Sequence, residues 1–85
     1  MTSTVHVRLF AGLREEAGAS TLEAEGATAG EVADALSRRF GERFARIASA
    51  GQLVVNGERA SRDTPLSEGD EVALLPPVSG GAGGR

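Results

Sequence analysis

Residues 68–85 read EGDEVALLPPVSGGAGGR. Within this stretch Glu71–Leu75, EVALL, alternates as a strand does: Val72 and Leu74 point one way, Ala73 and Leu75 the other. Pro76 and Pro77 end it, because proline has no N–H to donate to a ladder. Beyond them stand Gly80, Gly81, Gly83 and Gly84, then Arg85. Those glycines carry no side chain for chemistry and no apolar surface to bury. A strand that runs straight into such a segment predicts either a slack linker or a chain end that is itself the working part. The rest of the sequence decides between them.

The chain has 85 residues, which fits one small domain. Hydrophobic residues make up 40%, ordinary for a globular core. There is no cysteine, so there is neither a disulfide framework nor a thiolate nucleophile; this agrees with a cytoplasmic protein. No apolar run approaches a membrane span, and MTSTVHVRLF lacks the pattern of a signal peptide, so no membrane association is expected. A net charge of −3 argues against nucleic acid as a partner. All basic residues are arginine. The chain therefore offers no lysine amine for isopeptide attachment to itself.

Upstream, residues 4–10 (TVHVRLF) alternate: Val5, Val7 and Leu9 on one face, His6, Arg8 and Phe10 on the other. Residues 11–18 read as a short helix or turn closed by Gly18, and residues 20–24 as a second strand, pairing with the first as a hairpin with a long connection. Thr28 and Glu31 have capping-box spacing and open the main helix. Val32, Leu36 and Phe40, with Ala29 and Ala33, form its apolar stripe. Gly41 sits where helices commonly end, and Arg38 and Arg39 suit the last turn. Residues 42–48 read as a shorter helix with Phe44, Ile47 and Ala48 inward. Asn56-Gly57 between residues 53–55 and 58–60 is a two-residue hairpin signal, and residues 61–70 form a polar connector. The order is β-β-α-β-β, with the last strand beside the first. This is an α+β roll, one main helix on a mixed sheet of four to five strands. Its domain spans residues 1–78, and residues 79–85 form a flexible Gly-rich tail.

Phe10 and Leu75 are large apolar side chains outside the expected core set, which points either to a contact patch or to side chains that curl over the sheet edge or cover a loop. No side chain looks catalytic. His6 is the only histidine and reads as an exposed strand residue, and no metal site is expected. The acidic residues are scattered as a solvated surface would have them. Ser79 has no histidine or acid at a recognisable position. GGAGG is not a phosphate loop, since no helix follows it. The remaining reactive group is the α-carboxylate at the end of the tail. Glycine lets such an end enter a narrow active site, and the seven residues after Val78 reach about 23–25 Å fully extended. A carboxylate must be activated before it accepts a nucleophile, and so small a chain leaves that to a partner.

These residues resemble the ThiS/MoaD superfamily of ubiquitin-like sulfur-carrier proteins. The likeness rests on the β-β-α-β-β order, the VNG hairpin, RLFAGLRE near the start and, above all, EGDEVALLPPVSGG. It spans residues 4–81 and is most like the small subunit of molybdopterin synthase. The resemblance implies a β-grasp fold and a carrier that acts as co-substrate or small subunit rather than as an independent catalyst. An E1-like enzyme, using ATP that the carrier itself does not bind, would adenylate the terminal glycine. Sulfur would then replace one oxygen, and the thiocarboxylate would serve molybdopterin biosynthesis. Cysteine, thiamin or secondary-metabolite pathways, or a ubiquitin-like protein modifier, are the alternatives. Carried over by position, Gly81 bears the reactive end, with Gly80 before it. The implied partner-binding set is Phe10, Leu75, Pro76, Pro77, Val78 and Ser79, for the E1-like adenylating enzyme and for a sulfur-accepting synthase such as the molybdopterin synthase large subunit. Leu75 departs from the family in being aliphatic where an aromatic residue is common. Residues 82–85, AGGR, depart further. A processing peptidase cutting after Gly81 would restore the usual end; loss of Arg85 alone would make Gly84 the terminus; used as written, the chain would end on Arg85, whose side chain would crowd a site built for glycine.

Overall fold

The computed structural model describes residues 2–77. Chain order is β1 (Ser3–Leu9), α1 (Ala11–Ala17), β2 (Thr21–Gly26), α2 (Ala29–Phe40), α3 (Glu42–Ala50), β3 (Gln52–Val55), β4 (Glu58–Ala60) and β5 (Glu71–Leu75). The five strands form one mixed sheet in the order β2-β1-β5-β3-β4. β1 and β5 lie parallel at its centre, and every other pairing is antiparallel. This is the expected β-grasp roll, with five strands.

Register fixes which side chains meet. Val7 pairs with Val72, and Leu9 with Leu74. All four are buried, as is Val5. They face Val32 and Leu36 of α2, Leu13 of α1 and Phe44 of α3, each almost wholly removed from water. Burying an aliphatic or Phe side chain of this size contributes about 1.5–3 kcal/mol, so these few positions dominate the stability of so small a domain. Phe40 is only half-buried. Its ring lies 5.4 Å from that of Phe44 in a tilted pair, which places it at the rim of the helix stripe.

The local signals act as read, with differences in detail. Thr28 caps α2: its hydroxyl accepts from the Glu31 N–H at 3.2 Å. The Glu31 carboxylate closes the box one residue early, accepting from the Ala27 N–H at 2.9 Å. Asn56 and Gly57 both have positive φ, at 51° and 85°, as the tight β3–β4 turn requires. β1 stops at Leu9 rather than at residue 10, because Phe10 becomes the N-cap of α1 with extended backbone. β2 runs on to Gly26, and α3 extends two residues further, to Ala50. The connector is not wholly polar: Leu66 is buried in the core. No helix among the described residues is long and apolar enough to cross a membrane.

Candidate functional site

The site is the end of the sheet from which the C-terminal segment leaves. β5 runs parallel to β1 with Leu9 opposite Leu74, so the next positions, Phe10 and Leu75, emerge side by side at that end. Both are half-buried. Pro76 follows half-buried and Pro77 exposed. The structure thus brings Phe10, Leu75, Pro76 and Pro77 together. Val78, Ser79, Gly80, Gly81 and Gly84 lie outside the described residues, as does the rest of the expected tail.

Alternation explains why this patch faces outward. Leu53 and Val55 pack against the core, so Val54 between them faces the other side. Val54 pairs with Ala73, and Ala73 with Arg8. Ala73 and Val54 therefore extend the patch begun by Phe10 and Leu75. The Val54 contribution was missed in the sequence reading. The LVV triplet hid its alternation, and only the pairing with Ala73 reveals it.

Arg8 is fixed over the patch by two contacts. Its Nη1 is 3.3 Å from Glu71 Oε2, and its guanidinium carbon lies 5.7 Å from the Phe10 ring centre. Each is exposed and worth up to about 1 kcal/mol. His6 and Glu23, cross-strand neighbours, approach to 3.7 Å with both side chains exposed, so the histidine sits where the sequence placed it.

Behind the patch, the start of β5 is locked to the β3–β4 turn. The Asn56 amide donates to Asp70 Oδ1 at 3.0 Å, and its oxygen accepts from the Glu71 N–H at 2.9 Å. Asp70 also accepts from the Ser67 N–H at 2.8 Å. The Ser67 N–H first, then Asn56, hold its carboxyl below the ordinary carboxylate value. At the edge of the sheet, a groove of about 500 Å³ lies between α2, α3 and the β3–β4 hairpin, and Arg59 of the edge strand β4 is among the residues that line it. Its polar feature is the Asp34–Arg62 ion pair at 2.7 Å, which raises the Arg62 pKa. Among the described residues no three His, Cys, Asp or Glu side chains gather as metal ligands would.

The β-grasp fold of the described residues is that of ubiquitin-like carriers and modifiers. The chain belongs to the ThiS family, which it matches over residues 7–81. It is 39% identical to small archaeal modifier protein 1 of Haloferax volcanii, over 87% of this chain and 97% of that one. It is 37% identical to the molybdopterin synthase sulfur carrier subunit of Escherichia coli, over 91% and 99%. The solution structure of small archaeal modifier protein 1 from Methanosarcina acetivorans superposes with a TM-score of 0.84 at 28% identity, covering 94% of this chain and 98% of that one. A related chain is also seen in the complex of subunits 1 and 2 of molybdopterin-converting factor from Helicobacter pylori (TM-score 0.65, 26% identity, 91% and 97% covered). Relatives of this chain thus assemble with a partner subunit.

Proposed function

We propose that this chain is a sulfur carrier whose working group is the carboxylate of Gly81. Residues 82–85 must be cleaved before that carboxylate exists, so a peptidase acts first. An E1-like enzyme then joins the carboxylate to the AMP moiety of ATP, releasing pyrophosphate. A sulfur nucleophile displaces AMP and leaves a thiocarboxylate, which passes its sulfur to an acceptor in molybdopterin synthesis. The carrier supplies the extended end and the docking face, and the partners supply the catalysis. The observation that carries this reading is that the sequence runs from β5 through Pro76-Pro77 directly to the Gly80-Gly81 pair, with Phe10 and Leu75 beside the end of β5. The family match ending at Gly81 supports it.

Two chains test it, one ending at Gly81 and one at Val78. Each is incubated with the cognate activating enzyme, ATP and a sulfide source, then run on a mercury-containing gel that retards thiocarboxylates. Retardation of the Gly81 chain alone is expected. Equal behaviour of the two chains would refute the proposal.

A second reading is a protein modifier that forms isopeptide bonds from the same activated glycine. The likeness to small archaeal modifier protein 1 favours it. Lacking lysine, this chain would then attach singly rather than build lysine-linked polymers on itself.

A further inference from the structure

We propose that Arg59 is a specificity residue of the docking face, and that the partner protein presents there an apolar side chain bordered by carboxylates, one of them opposite Arg59. This rests on the carrier reading, because it concerns the face that delivers the C-terminal segment.

The register carries it. One row of side chains crosses the outer face of the sheet: Arg8 opposite Ala73, Ala73 opposite Val54, Val54 opposite Arg59. The row is small and apolar in the middle and ends in a guanidinium on each side. Three inter-strand spacings separate the strands bearing the two arginines, about 14 Å. That span accommodates one apolar side chain of a partner with a carboxylate on either flank.

The two ends differ. Arg8 is held by Glu71 and Phe10. Arg59 is exposed, and no described carboxylate lies within ion-pair distance of it. Glu58 precedes it but sits opposite Val55, whose side chain packs toward the core. Against a chain charge of −3, an unneutralised arginine beside an apolar strip marks where negative charge is welcome. Guanidinium is suited to paired recognition of a carboxylate, and its charge steers the encounter.

The test is binding of the cognate E1-like activating enzyme to the chain ending at Gly81, as wild type and as the variants Arg59→Glu and Arg38→Glu (a helix-surface control), at low and high salt. Arg59 is exposed, so the variant folds; its thermal transition checks this. We expect Arg59→Glu to weaken binding about 10-fold or more at low salt, with the difference shrinking at high salt, while Arg38→Glu stays within about twofold. Equal affinity of the wild type and Arg59→Glu, with thiocarboxylate formed in both at saturating enzyme, overturns this inference and leaves the carrier function standing. Equal weakening by both variants overturns it too, because it would show a general charge effect. A second copy of this chain as the occupant would appear as wild-type self-association relieved by Arg59→Glu, which also overturns it. A wild type that neither binds nor is thiocarboxylated removes the carrier reading itself.

Discussion

Gly51 lies directly against the main chain of Leu75 and Pro76: a Cβ built at Gly51 would overlap the Leu75 carbonyl. The junction of α3 and β3 thereby forms one wall of the exit from β5. Its φ of −94° is open to any residue, so the requirement for glycine here is contact, not conformation. Gly51→Ala forces either wall or exit to move. A loss of about 1–3 kcal/mol in denaturant unfolding is expected, together with slower thiocarboxylate formation. Unchanged stability would mean that the two segments do not meet as described.

The docking patch makes a separate prediction. Leu75 is half-buried and outside the core. Leu75→Glu should cost little stability yet weaken binding of the activating enzyme at least tenfold, as truncating a central apolar contact does. A calorimetric titration that finds wild-type affinity would remove Leu75 from the interface.

Thr28 tests the start of the main helix. Thr28→Ala removes the acceptor for the Glu31 N–H and should lower stability by about 1 kcal/mol, leaving partner binding intact. Chemical denaturation at neutral pH measures it.

Asp70 predicts a pH dependence. Its pKa is lowered in the folded chain by the Ser67 N–H and Asn56. A depressed carboxylate stabilises the fold above its unfolded value, about 3.9, and that contribution is lost as pH falls through the lower folded value. Asp70→Asn should therefore be less stable than the wild type at pH 7, and the gap should close in acid below about pH 4. A gap that persists undiminished at low pH would assign the loss to geometry rather than charge.

Much of this was legible in the sequence because local chemistry and tertiary structure agree. The alternation of Val5, Val7 and Leu9, the Thr28–Glu31 spacing and the Asn56-Gly57 turn each specify one conformation, and the fold adopts it. What stayed hidden depends on partners distant in the chain. Leu66 stands alone in a polar connector, with no periodicity to show that it fills the core. Leu13 sits in a seven-residue helix too short to display a stripe. Gly51 looks like a simple helix end until Leu75 is placed beside it. The outer row from Arg8 to Arg59 has no signature in any single segment. It exists only once β5 is inserted between β1 and β3.

The most direct test of the carrier function is the intact mass of the protein purified from its own cells. The account predicts a chain ending at Gly81, part of it heavier by the exchange of one oxygen for sulfur. A chain still ending at Arg85, unchanged after incubation with ATP, a sulfide source and the cognate activating enzyme, would contradict it.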